Sequence, residues 1–172
     1  MISRRLVAVA AVCGLTAIAV APSIKTAPRL VYNGSRSVPV GWYVVSQKPR
    51  YEHGDLVLAD PPPAFARLIE RRGYLPPNVP LIKRVAALEG DTVCKSDDAL
   101  GVQLATGETI TVRSLSMDRS GWVMPRWEGC RTLASGEVLL PLSDTDRSLD
   151  GRYFGPVPIT SIRGEARPLF GS

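Results

Sequence analysis

The sequence predicts a mainly β domain behind one N-terminal apolar segment, and three observations carry that reading. Fifteen glycines and fifteen prolines punctuate 172 residues, a density that favours short strands and tight turns over long helices. Short apolar and β-branched runs recur between turn signals, as half-buried strands do. Only one stretch, Phe65 to Arg72, has the i, i+3, i+4 apolar spacing of a helix, through Phe65, Leu68 and Ile69. With 45% hydrophobic and 22% charged residues the chain can bury a core, and its length suits one ordinary domain with a tail.

The elements follow in order. Residues 6–21 carry no charge, are preceded by Arg4 and Arg5 and are stopped by Pro22, the pattern of a membrane-directed segment. At about 1.5 Å per residue they reach about 24 Å, short of a hydrocarbon core of about 30 Å unless Ile2 and snorkelling arginines extend them. Ala19-Val20-Ala21 offers the small residues of a cleavage site, but Pro22 directly after it is a poor context. Residues 1–28 therefore read as a membrane anchor or signal segment, and residues 29–172 as the exported domain. Lys25 and Arg29 on the far side leave only a weak bias that keeps the amino terminus in the cytoplasm. After a polar connector, Trp42–Ser46 and Asp55–Leu58 read as paired strands, followed by Pro61-Pro62-Pro63 and the single helix. Leu81–Leu88, Thr92–Cys94, Val102–Leu104, Thr109–Val112, Glu137–Leu140 and Val157–Arg163 complete the strand set, with residues 105–108 as a hairpin tip.

Composition narrows the function classes. A formal charge of +5 favours an anionic membrane surface but falls well short of a nucleic-acid stripe, so no nucleic-acid partner is expected. One histidine, His53, and three cysteines exclude a multi-histidine metal site and a four-cysteine zinc site. No metal or organic cofactor is implied, and any catalysis must be almost free of histidine. His53 itself reads as a solvated turn residue. Cys13 lies in the apolar segment, while Cys94 and Cys130 both lie in the exported part, where a disulfide can persist and would stabilise by about 2–4 kcal/mol.

Two stretches carry chemistry. Residues 35–42, Ser-Arg-Ser-Val-Pro-Val-Gly-Trp, place two serines ahead of a Pro- and Gly-containing turn. Residues 81–91, Leu-Ile-Lys-Arg-Val-Ala-Ala-Leu-Glu-Gly-Asp, put Lys83 on the same strand face as Leu81, Val85 and Ala87, with Arg84 on the other. Arg84 can reach water, whereas Lys83 points into an apolar layer, where lost hydration lowers the pKa of its ammonium. A neutral amine within reach of a hydroxyl can take its proton, the Ser-Lys form of nucleophile activation, which needs no imidazole. Lys48 and Lys95 sit among turn residues and read as solvent-facing.

Ser-x-Ser-Val-Pro-x-Gly after an apolar segment, Ile-Lys-Arg-Val with Glu-Gly-Asp, and residues 150–157, Asp-Gly-Arg-Tyr-Phe-Gly-Pro-Val, stand in the order of a type I signal peptidase, which the chain resembles. Residues 37–43, Arg72-Gly73-Tyr74-Leu75 and the small size are more narrowly similar to the TraF-type conjugative-transfer branch. The resemblance implies a signal-peptidase-like β-barrel or sandwich catalytic domain behind one membrane helix, at the bacterial inner membrane with the domain on the periplasmic side. It makes Ser37 the nucleophile and Lys83 the general base, with the Ser37 N–H and Ser35 Oγ as the oxyanion hole. Asp150 and Arg152 match the aspartate and arginine beside the family's active site, read as an ion pair orienting the lysine strand. Gly151 stands where the family usually has serine, which leaves Ser148 as the nearest hydroxyl for Lys83. Val38 replaces the family's methionine, and residues 143–147 replace a Gly-Asp-Asn-Arg run.

The implied substrate is a membrane-tethered precursor bound as an added strand with small side chains before the scissile bond, most specifically a pilin precursor. Hydrolysis and head-to-tail cyclisation share one acyl-enzyme, and the residues do not choose between them. The lipid bilayer and components of a conjugation or type IV secretion assembly are the remaining implied partners. Two other readings stand beside this one: a general signal peptidase, and a non-catalytic β-rich subunit of an envelope assembly.

Overall fold

The computed structural model describes residues 30–96, 98–141 and 147–170. The apolar segment, Cys13 and the boundary near Arg29 lie outside the described residues, as do Ser143 to Asp146. Among the described residues no helix is long and apolar enough to cross a membrane.

The described chain is mainly β. Strand β1 (Leu30–Asn33) and β2 (Gly41–Ser46) form an antiparallel pair in which Asn33 faces Gly41. Alternation along β2 buries Tyr43 and Val45 and exposes Trp42 and Val44, as a sheet with one covered face requires. Strand β3 (Leu56–Ala59) pairs with β4 (Leu81–Arg84), and the C-terminal β11 (Ile162–Pro168) runs between β2 and β3, giving the order β1-β2-β11-β3-β4. A register shift between Ile162 and Gly164 breaks the β11–β3 ladder, the kind of irregularity that bends a strand and increases its twist. A Cβ on Gly164 would stand 2.8 Å from the Ser46 carbonyl oxygen, so glycine is what lets β2 and β11 approach this closely.

The helix α1 (Pro63–Arg71) begins with proline in its first turn, where no amide hydrogen is needed, and ends at Gly73, whose φ of 64° suits a left-handed cap. A second sheet takes the order β7-β6-β5-β8 from β5 (Thr92–Lys95), β6 (Ala99–Gln103), β7 (Thr109–Arg113) and β8 (Gly129–Thr132). Cys94 and Cys130 are directly opposed on β5 and β8 and are joined as a disulfide. Strand β9 (Glu137–Val138) pairs with β10 (Val157–Pro158), and between them lies the one-turn α2 (Gly151–Phe154).

Three apolar clusters hold this together, and one positions the site. Val38, Tyr43, Val45, Leu58, Ile82 and Ala166 pack on one face of the five-stranded sheet. Val38 adjoins Ser37 and Ile82 adjoins Lys83, so burial of this one cluster fixes the serine turn and β4 against a common core. The opposite face of β3 packs Val57 and Ala59 against Val85, Val138, Leu140 and Val157.

Several expectations need correction. The connector before residue 42 contains β1, and β8 and α2 were not expected. The strand expected over Leu81–Leu88 ends at Arg84, with only an isolated bridge from Ala87 to Leu139, because beyond Val85 the main chain leaves β3 and Ala86 and Ala87 N–H donate to the Leu139 carbonyl. Lys95 does not face solvent: strand alternation puts it on the side of Val93, where it is buried and donates to the Ser96 carbonyl. His53 is the exposed turn residue that was expected, and its Nε2 in addition lies 2.6 Å from Asp91 Oδ2.

Candidate active site

The turn between β1 and β2 carries Ser35 and Ser37. Asn33, the last residue of β1, is buried and ties this turn together. Its Oδ1 accepts from Ser35 N (3.1 Å) and Ser35 Oγ (2.9 Å), while its Nδ2 donates to the carbonyls of Ser35, Pro39 and Val38 at 2.8, 3.0 and 3.1 Å. Tyr43 OH adds a hydrogen bond to the Pro39 carbonyl at 2.7 Å. Ser37 is buried, and its Oγ lies 2.8 Å from Ser35 Oγ. Asn33 was not singled out from sequence, although an asparagine two residues before a turn serine, able to bond the main chain there, is a recognisable signal.

On the other side of the site Lys83 is only 4% exposed at the centre of β4, while Arg84 turns outward and donates to the Gly54 carbonyl. Burial lowers the Lys83 pKa from 10.5 to about 8; the nearby Asp150 carboxylate opposes that shift and the Arg152 guanidinium adds to it. Lys83 Nζ donates to Ser148 Oγ at 2.5 Å. Lys48 contrasts with it. Held 2.7 Å from Asp55, Lys48 has its pKa raised by that hydrogen bond and stays charged.

Asp150 caps α2 through Arg152 N (3.1 Å) and takes both Nε and Nη2 of Arg152 at 2.9 Å, with both side chains buried. Arg152 also donates to the carbonyls of Ser148 (3.0 Å) and Arg113 on β7 (2.9 Å). Those bonds anchor the Ser148 main chain to the second sheet, so the ion pair holds the hydroxyl partner of Lys83. Gly151 has a steric reason to be glycine: a Cβ there would stand 3.0 Å from Leu139 Cδ1 and 3.2 Å from the Leu140 main chain.

Ser35, Ser37, Lys83 and Ser148 all line one open cleft of about 1460 Å³. Among the described residues no direct hydrogen bond joins Ser37 to Lys83; each hydroxyl or amine is engaged by its neighbouring serine. Apolar Val31, Ile69 and Ile82 line the cleft, and a far wall at Met117–Ser120 is fixed by Asp118, which accepts from Tyr74 OH and lies 3.7 Å from Arg72. Cys94 and Cys130 are not among its lining residues. Asp91, in the turn after β4, accepts from Leu88 N and Ala105 N at 2.8 Å and pairs with His53. Burial alone would raise its pKa, but those donors outweigh burial and hold it below the usual carboxylate range. This linkage spans distant segments and was not foreseen.

Comparison with known proteins gives a consistent result. Residues 2–170 match the family described as signal peptidase, peptidase S26. A plasmid transfer protein TraF of Escherichia coli is 32% identical over 177 residues, covering 98% of this chain and 97% of that protein. A second Escherichia coli protein of that name is 37% identical over 80% of each chain, and a conjugal transfer protein TraF of Agrobacterium fabrum is 33% identical over 80% of each.

Proposed function

The chain belongs to the S26 signal peptidase family, and from that premise we propose that it is a Ser-Lys serine endopeptidase that matures an exported precursor for conjugative transfer. The observation that carries the proposal is the burial of Lys83 on the cleft that Ser37 also lines, because it supplies an amine with a pKa near 8 where no imidazole lines the cleft.

Substrate entry turns the Ser37 hydroxyl from Ser35 toward Lys83. Neutral Lys83 keeps hydrogens for Ser148 and offers a lone pair to Ser37. Ser37 Oγ attacks the scissile carbonyl carbon and its proton passes to Lys83 Nζ. The Ser37 N–H and Ser35 Oγ stabilise the oxyanion. As the C–N bond breaks, Lys83 returns the proton to the leaving amine. A water molecule, or the amino terminus of the substrate itself, then attacks the ester, gives its proton to Lys83, and releases Ser37. The first route yields a linear product and the second a ring.

The relatives named for plasmid and conjugal transfer support a precursor of the transfer apparatus, and a pilin precursor is the specific proposal. The uncharged run at residues 6–21 supports a membrane anchor, with the domain on the periplasmic side meeting a membrane-tethered substrate. Incubating the detergent-solubilised full chain with the pilin precursor of its own transfer system, read by mass spectrometry, tests this. Expected is a shortened product, linear or lighter by one water, absent with Ser37→Ala. Unchanged precursor, or processing that survives Ser37→Ala, overturns it.

A further inference from the structure

The hydrogen bonds of the serine turn have a direction that can be read from chemistry alone. An asparagine carboxamide offers one acceptor oxygen and two donor hydrogens. Three carbonyl oxygens surround Asn33 Nδ2, so that end must be the nitrogen and the amide orientation is fixed. Its oxygen can only accept, so the Ser35 hydroxyl hydrogen points at Asn33 Oδ1. A hydroxyl has one hydrogen, and Ser35 has therefore none left for Ser37. In the Ser35–Ser37 contact at 2.8 Å the donor is Ser37. The resting arrangement is a directed chain, Ser37 O–H to Ser35 Oγ and Ser35 O–H to Asn33 Oδ1.

We propose that Asn33 is the positioning residue of the nucleophile turn, holding Ser35 Oγ as the acceptor for the resting Ser37 hydroxyl and as the oxyanion donor once substrate is bound. This rests on the roles of Ser37 and Ser35 proposed above. Two features separate it from ordinary turn stabilisation. The five bonds of this one side chain reach residues on both sides of Ser37, namely Ser35 behind it and Val38 and Pro39 ahead. Ser35 is also solvent-exposed, and among the described residues Asn33 Oδ1 is the acceptor that takes its hydroxyl hydrogen. When a peptide carbonyl enters, Ser37 rotates its hydrogen toward Lys83, and Ser35 swings its own from Asn33 to the developing oxyanion without moving its oxygen. Asn33 acts through Ser35 and touches no substrate.

A double-mutant cycle tests this on the full chain, using the pilin precursor as the probe. Asn33→Ala should lower kcat by about 10–100-fold with KM within about threefold, approaching the loss expected for an oxyanion donor. The Asn33→Ala/Ser35→Ala double variant should be no worse than the more damaging single variant, because both changes remove one function. If Asn33→Ala fails to fold, Asn33→Thr is read instead: it suits a strand end and keeps a hydroxyl to donate to a turn carbonyl, yet it is too short to accept from Ser35 and should lower kcat by a similar factor. Unchanged kcat, a loss confined to KM, or losses that multiply in the double variant overturn the proposal. Ser37→Ala run in parallel separates the two failures. If it still cleaves, the Ser-Lys reading has failed; if it is dead while the Asn33 variants keep full kcat, only the role of Asn33 has failed.

Discussion

The two halves of the cleft hold their reactive atoms by opposite means. The serine half is a polar device, in which Ser37 sits in a turn whose geometry is set by side-chain hydrogen bonds from Asn33 and Tyr43. The lysine half is an apolar device, in which Lys83 is fixed inside a strand, shielded from water and given a single hydroxyl partner, Ser148. The difference matches what the proposed mechanism asks of each atom. A hydroxyl has to change hydrogen-bond partner during the reaction, and rotating within a polar network makes that inexpensive. An amine has to arrive without its proton, and only lost hydration makes that possible near neutral pH.

The comparison can be broken most severely at the lysine. Lys83→Arg keeps a positive charge that cannot be given up, and should lower turnover by about 10²–10⁴-fold or more. Lys83→Met should be equally inactive yet more stable at neutral pH, since it removes a poorly hydrated ammonium, whereas Ser37→Ala should leave the unfolding midpoint nearly unchanged. Turnover assays paired with denaturant unfolding check all three. An active Lys83→Arg would end the assignment of Lys83 as the base.

Asp150→Ala comes next. It leaves the buried Arg152 without its carboxylate and should cost about 3–5 kcal/mol of stability. Because Asp150 raises the Lys83 pKa and Arg152 lowers it, whatever enzyme remains folded should reach full rate at a lower pH. Ser148→Ala should lower kcat by about 10–100-fold with little change in KM, through loss of one hydrogen bond to the ammonium that forms as Lys83 takes the proton from Ser37. The smallest effect on turnover should come from reducing Cys94–Cys130. Its loss should cost about 2–4 kcal/mol in unfolding experiments while the folded enzyme keeps its rate, since neither cysteine lines the cleft.

The two halves also differed in how much of them sequence could reveal. The burial of Lys83 was legible because a two-residue period places it opposite Arg84, a property of four adjacent letters. The serines were singled out through motif resemblance, but their network was not, because the Asn33-Gly34 turn signal was absorbed into the polar connector and the strand that ends at Asn33, β1, was not expected there. Lys95 was misread because neighbouring Ser96 suggested a loop, whereas the alternation with Val93 governs its burial. The Asp150–Arg152 pair was expected, but His53 with Asp91, and Arg152 with the Arg113 carbonyl, join segments far apart in the chain, and no local pattern encodes such contacts. The one-turn helix Gly151–Phe154 is too short for any periodicity to announce it.

The stability consequence of Lys83 has a definite sign. With its folded pKa near 8 and its unfolded value at 10.5, the unfolded chain binds the extra proton between those limits, so this group makes the protein more stable as pH rises from about 8 to 10.5 and adds no pH dependence below 8. In the proposed mechanism the same proton governs catalysis, and its removal is the most direct test. Measured from pH 6 to 10, kcat/KM for the precursor should climb tenfold per pH unit and level off near pH 8, as one amine loses its proton in the free enzyme. A rate already at its plateau at pH 6, or one that falls between pH 7 and 9, would contradict the account.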